Sequence, residues 1–523
     1  MEVSWYVLKV SNHFLERRNM SIKKAKKMGF WAAISMLIGS VVGIGIFFKN
    51  GSISRITEQN GATWLAAWIV GGILALGLAI SFSEIGTTKM ESKTEGIAKW
   101  ATFVSGERLG NFAQFTYSFF YTGFFTFVLG FFASEATFQG LVMAGWMKSG
   151  AIPIWGHAII GLCITSFLIV VNVTSVKASG IFQQITVVLK FIPLIAAIII
   201  GIGMATSHNY IDDNGKLAGG NGFTHGTFNP LLIVAALPAV LFAYDGFLNV
   251  ATMQKKVKDG ERQIPKILFF GMLIVIIVNS LISLASILHM APSVDIVMKD
   301  VFGDPTVQKT LGVLVYMFIA ISAWGVVNGY AAGYWTAIEQ GVETNLFFGM
   351  KWMKNKFGKF KTTIVYAVSI IVFWALILLI PSIVLNTDSL IDSLSNWPTF
   401  FIFGLLALII LIYSIKRKKL HTTEMHPVIF WVASIVAVVG IFGALLFSLF
   451  YSTIYIDFIK HPNESSSYGL FARGNGVKNY IGSVMFFVQL IIFLSFPVIN
   501  KLLKNKFEKN KVEEVLTEDN LKK

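Results

Sequence analysis

The chain has 523 residues, 55% of them hydrophobic and only 14% charged, with a mean hydropathy of +0.68. A water-soluble fold of this size could not hide that much apolar surface, so the composition excludes a soluble protein and predicts an all-α polytopic membrane protein. The net charge of +15 is scattered over many short connections, which argues against a nucleic-acid surface, and a lone Cys163 excludes an internal disulfide.

Residues 1–28 are basic and lack the apolar stretch of a signal peptide, so the first helix is expected to serve as its own insertion signal. Twelve apolar segments follow, at about 30–48, 62–87, 112–138, 154–173, 179–205, 229–252, 265–289, 310–337, 363–384, 396–415, 427–450 and 480–503, each near the ~20 residues a span requires. With the N-terminus in the cytoplasm, 33 of the 43 Lys and Arg residues fall on the cytoplasmic side, 9 on the outer side, and Lys190 inside a span. The positive-inside rule therefore predicts both termini in the cytoplasm, and a plasma-membrane location is expected. Basic clusters such as Lys416-Arg417-Lys418-Lys419 read as a match to anionic lipid, and the tail from Lys501 to Lys523 as a solvated, partly helical end.

The first span contains Gly39-Ser40-Val41-Val42-Gly43-Ile44-Gly45-Ile46-Phe47. Each glycine costs about 1 kcal/mol in a helix relative to alanine. Three within seven residues predict a helix that opens locally, and opened backbone in a bilayer is tolerated only where it lines a cavity or is buried in protein. The N–H groups of a half-helix start are a site for a carboxylate. A second reading is a small-residue packing face, Gly39-xxx-Gly43.

Segment six carries the other interruption, Phe242-Ala243-Tyr244-Asp245-Gly246-Phe247, one turn after Pro238. An aspartate near the bilayer centre costs roughly 3 kcal/mol on insertion scales, so it faces a cavity or a partner. A kinked packing helix is the alternative. Segments one and six each open a set of five spans, and five spans per set place the two sets in opposite orientations. Interrupted helices at matching positions of inverted halves point to a transporter's substrate site.

Lys190 lies about eleven residues into segment five, roughly 16 Å deep at 1.5 Å per residue. It must meet an acceptor cluster or give up its proton, or else serve as a structural cation tying helices together. Glu84, near the end of segment two, reads as an interfacial or capping residue, and Asn328 on segment eight either faces the cavity or bonds helices together.

These motifs resemble the amino acid–polyamine–organocation superfamily of permeases over at least residues 28–345. The Gly39–Phe47 stretch is similar to that family's first-helix glycine motif, and Ser83-Glu84-Ile85-Gly86 to the end of its second helix. Residues Glu91–Asn111 resemble its amphipathic loop; Val176-Lys177-Ala178-Ser179-Gly180 with Gln184–Lys190 resemble its fifth helix; and Asp259–Pro265 resembles the loop after its sixth-helix break. Departures occur at Leu248, Lys256 and Gly260, and no arginine occurs in Tyr330–Ile338.

The resemblance implies a five-plus-five inverted repeat with helices one and six broken. Repeats would span 29–205 and 229–415, with peripheral helices in 427–503 and a cytoplasmic tail at 504–523. It implies that an amino acid's carboxylate meets N–H groups of Gly43, Ile44 and Gly45. The ammonium would meet carbonyls near Phe242, Ala243 and Asp245, with the Phe242 ring over the substrate. Lys190 would replace a coupling sodium, bridging carbonyls near Gly39 and Ser40 to Ser322, while Glu84, Gly246 and Asn328 would serve structure or gating. Transport would then be sodium-independent, by proton coupling or exchange.

A polyamine, which has no carboxylate, is the alternative substrate, and a channel is a further alternative without a visible filter loop or charge ring. A membrane-embedded enzyme would want clustered His, Asp or Glu, whereas the eight histidines are dispersed without an HExxH. No cofactor or metal is expected. The expected partners are an amino acid and membrane lipid, and the sequence leaves the oligomeric state open.

Overall fold

The computed structural model describes residues 29–209, 219–247, 257–420, 422, 424–466 and 476–521. The expected N-terminal segment 1–28 and the departures at Leu248 and Lys256 lie outside the described residues.

Ten helices among the described residues are long and apolar enough to cross a membrane, and two shorter apolar ones accompany them. The shorter pair belong to the two interrupted segments. Helix α1 (Phe30–Val41) ends where Val42 turns extended, and α2 (Ile44–Ile56) resumes after Gly43, whose φ of −164° and ψ of −131° leave helical geometry. Helix α9 (Pro230–Ala243) starts under an Asn229 cap with proline at its first position and runs through Pro238 without stopping. It ends at Tyr244, and Gly246 follows at φ +97°, a conformation suited to glycine.

The remaining elements are α3 (Gly61–Ile85), α4 (Ile97–Ser105), α5 (Glu107–Phe115), α6 (Gly123–Met143), α7 (Ile154–Thr174), α8 (Val176–Gly203), α10 (Gly260–Leu288), α11 (Val294–Val301) and α12 (Pro305–Thr344). Then come α13 (Met350–Val384), α14 (Ser389–Leu394), α15 (Asn396–Lys416), α16 (Pro427–Leu446) and α17 (Asn479–Leu521). A π-helical stretch, Thr116–Thr122, joins α5 to α6, and another, Phe447–Lys460, extends α16. A two-residue antiparallel pair sets Ser465 against Lys478 and Ser466 against Val477.

The broken helices sit inside the bundle, α2 packing on α9, while α3 packs on α10 and α6 on α12. The α5–α6 segment is the most enclosed of the long spans, and α13 and α17 are among the most exposed. Long apolar faces such as Ile185, Val188, Ile192, Ile195 and Ile199 of α8 stay uncovered, as a lipid-facing helix requires.

Three expectations need correction. The first span does not end at Phe48: α2 carries Lys49 into the buried interior and runs on to Ile56. Arg417 is not a lipid-facing member of its basic cluster, since it is buried against Glu84. The C-terminal tail is more than a solvated end. Within it Glu508 accepts from Gly349 N–H at 2.8 Å, and Asn500 just before it accepts from Phe348 N–H at 2.7 Å, so α17 holds the turn between α12 and α13.

Candidate functional site

The first N–H groups of a helix and its last C=O groups have no partners within that helix. The fold brings one set of each together at its centre. No side chain caps the start of α2. Beside it runs the end of α9, so close that a Cβ added to Gly45 would collide with the Ala243 backbone. The positive end of one half-helix therefore lies against the negative end of another. The glycines open the helix and also pack: a Cβ at Gly39 would run into Val187, and one at Gly43 would lie 2.6 Å from Val326 Cγ2. Both sequence readings of the glycine cluster thus describe the same stretch.

Asp245 is buried and fully engaged. Its Oδ2 accepts from the Tyr121 hydroxyl, from Thr399 Oγ1 at 3.0 Å and from the Tyr330 hydroxyl at 3.4 Å; its Oδ1 accepts from Gly246 N–H at 2.7 Å. Tyr121 lies in the π-helical stretch, a distortion often found at functional sites. Phe125 packs at a tilt against both this group and Phe242, with ring centroids 5.6 Å from Phe242 and 5.7 Å from Tyr330. Sequence reasoning missed Tyr121, Tyr330 and Thr399, because nothing in their spacing signals a shared aspartate.

Lys49 also lies against Phe242. Its ammonium lies 4.6 Å from the Phe242 ring centre and donates to Asp392 Oδ1 at 2.9 Å, Asp392 C=O at 2.9 Å and Ser395 Oγ at 2.8 Å. The latch joins α2 to α14 and the start of α15. Next to it, Asn50 donates to Ser286 Oγ at 2.9 Å and accepts from Trp64 and Trp68 indole N–H groups. This part of α2 is the polar counterpart of the Asp245 cluster, and the sequence reading placed it in a loop.

Lys190 reaches the break from α8. Its ammonium donates to the Gly39 carbonyl at the end of α1, and a Cβ at Gly43 would sit 4.0 Å from Nζ. Ser322 on α12 is buried, and its Oγ finds no hydrogen-bond partner among the described residues. Of the expected bridge only the contact with Gly39 is made, and no hydrogen bond joins Lys190 to Ser322. The side chains of Ser40 and Ile44 lie outside the described residues.

Glu84 and Asn328 tie helices together. Glu84 takes a two-pronged contact from Arg417, Nε to Oε1 at 2.7 Å and Nη2 to Oε2 at 3.0 Å, together with Tyr413 hydroxyl and Met425 N–H. Asn328 accepts from Asn172 at 2.9 Å and donates to Gln183 Oε1 at 3.0 Å, joining α12 to α7 and α8. An outer groove of about 830 Å³, lined by Ile38, Val187, Phe191, Ile195 and Ile274, is almost wholly hydrocarbon and suits lipid tails rather than a charged solute.

A sequence model described as amino acid permease matches residues 28–477. The chain belongs to the amino acid permease family. The permease is 26% identical to the serine/threonine exchanger SteT of Bacillus subtilis, over 80% of this chain and 90% of that protein. It is 25% identical to the b(0,+)-type amino acid transporter 1 of Mus musculus, over 61% and 63% of the two chains, and 24% identical to the rat protein of the same name, over 83% and 84%. Family and relatives are transporters rather than enzymes, which places this chain in amino acid transport across a membrane.

Proposed function

We propose that this permease carries a zwitterionic amino acid by alternating access, held between the start of α2 and the end of α9. The carboxylate meets the N–H groups of Gly43, Ile44 and Gly45; the ammonium meets the carbonyls of Phe242 and Ala243 and the neighbourhood of Asp245; the Phe242 ring covers it. The observation that carries this reading is the apposition of Gly45 and Ala243, which sets donors and acceptors of two half-helices side by side. A zwitterion satisfies both ends. A polyamine would leave the donors unused, and Asp245, the acid it would need, already accepts four hydrogen bonds.

The twelve-helix, five-plus-five arrangement, with repeats 29–205 and 229–415 and peripheral helices in 427–503, is supported by the pairing of like elements: α2 on α9, α3 on α10 and α6 on α12. The excess of basic residues at the α1 start, at Lys416–Lys419 and at the end of α17 supports cytoplasmic termini. In that orientation Lys49 and Asp392 close the outer path over Phe242. Lys190 takes the place of a sodium ion, so transport is sodium-independent, and the name of the bacterial relative favours exchange. Saturable counterflow of amino acids in proteoliposomes, unchanged when potassium replaces sodium, is the expected result. Ohmic current, or no trans-stimulated uptake of any amino acid, would overturn the reading.

A further inference from the structure

Two of the eight histidines that look dispersed in sequence converge at one point, on the face of the bundle opposite the basic one. His208 follows α8, His289 ends α10, and Asp300 lies on α11. Their ligand atoms fall within 4.8 Å of one another. Both Nδ1 atoms point at the same carboxylate oxygen: His208 is 2.9 Å and His289 2.8 Å from Asp300 Oδ2.

The other nitrogen of His289 decides how this cluster must be read. Nε2 lies 2.8 Å from the Gly201 carbonyl, which can only accept, so Nε2 carries the hydrogen. In the neutral ring Nδ1 then presents a lone pair, and it faces a carboxylate oxygen that also presents lone pairs. Two acceptors at 2.8 Å need a positive charge between them, either a proton or a bound cation. A metal-bound histidine characteristically donates its second ring N–H to a backbone carbonyl, as His289 does. The carboxylate is held as well: Asp300 Oδ1 accepts from Asn209 N–H at 2.9 Å, and the Asp300 carbonyl accepts from Asn209 Nδ2 at 3.1 Å.

We propose that His208, His289 and Asp300 form a binding site for a divalent transition-metal ion of the zinc class. Two imidazoles and a carboxylate suit that ion's preference for nitrogen and oxygen in tetrahedral geometry. Ligands at about 2.0–2.1 Å from a tetrahedral centre stand about 3.3 Å apart, so each ring must draw back from Asp300 by about half an ångström, and the two rings, whose ligand atoms lie within 4.8 Å of each other, must settle at that same spacing. His289 and Asp300 side chains are buried, whereas His208 is 24% exposed. Of the three side chains His208 is the one that reaches the surface, so an ion would enter past it. Three residues before His289, Ser286 accepts from Asn50 of α2. A loaded site holds the ends of α8 and α10 against α11, next to the segment that carries Lys49.

The test uses the full-length, tag-free protein in detergent micelles, stripped with a chelator and titrated with ZnCl2 or CoCl2. The site requires one saturable equivalent, tetrahedral cobalt absorption bands and a rise in melting temperature with zinc concentration. His208→Ala and Asp300→Asn should each weaken binding at least about tenfold, whatever they do to the melting temperature of the metal-free protein; His426→Ala should change nothing. Absence of saturable binding in the wild type, or undiminished binding in both variants, overturns the proposal. A melting temperature that follows pH but ignores both ions would assign the intervening charge to a proton and overturn it equally.

Discussion

Lys49 and Asp392, 343 residues apart in sequence, meet in a buried ion pair directly above the Phe242 ring. The pair satisfies itself: the lysine has three oxygen acceptors, and Ser52 Oγ reaches the second carboxylate oxygen at 3.4 Å. Breaking a buried pair leaves an uncompensated charge at a cost of about 3–5 kcal/mol, whereas removing both charges is far milder. Lys49→Met and Asp392→Leu should therefore each lower the melting temperature and abolish most counterflow, while the double variant melts higher than either single one. Strictly additive losses in a double-mutant cycle would show that the two side chains act separately.

Glu84 and Arg417 offer a parallel case at the basic face. Arg417→Lys keeps the charge but cannot reproduce two parallel N–H contacts. It should be destabilised nearly as much as Arg417→Met in thermal unfolding. Full stability in the lysine variant would mean that charge alone matters there.

Lys190 is expected to be indispensable for coupling. Lys190→Ala should lose most transport, because the Gly39 carbonyl at the break loses its cation. Lys190→Arg should not recover any pH dependence of the wild type, since arginine does not titrate in the accessible range. The corresponding wild-type measurement is exchange of sodium for potassium in proteoliposomes. Strict sodium dependence would contradict the assignment of Lys190 to the cation's place.

The two breaks were legible in the sequence because glycine and a buried aspartate are costly inside a membrane helix, and their positions coincide with Val42–Gly43 and Tyr244–Gly246. Lys49 was not. A charged residue after an apolar run reads as the end of a span, and only the fold shows Asp392 and Ser395 waiting for it. Tyr121 was hidden for a different reason: the π-helical stretch shifts its direction relative to a regular helix, so helical spacing does not aim it at Asp245. Arg417 looked like one of four surface cations, and its partner Glu84 lies 333 residues away.

The glycine cluster yields a prediction with a stricter reason than sequence alone supplied. Gly45→Val would drive side-chain carbon into Ala243, so it tests helix packing before it tests binding. Gly43→Ala meets only the far end of Val326 and the neighbourhood of the Lys190 ammonium. It should insert and fold, as judged by monodisperse purification, yet lose substrate-induced thermal stabilisation. Normal stabilisation by substrate would reduce Gly43 to a packing residue.

The most direct measurement is competition in counterflow, using the transported amino acid, its decarboxylated amine and its α-N-acetyl derivative. If the start of α2 holds the carboxylate and the end of α9 the ammonium, removing either ionic hydrogen-bond contact costs about 1.5–3 kcal/mol. Both analogues should then compete more than about tenfold less well than the parent amino acid. Equal competition by the amine would mean that no carboxylate is bound at Gly43–Gly45, and the account of the broken helices would fail.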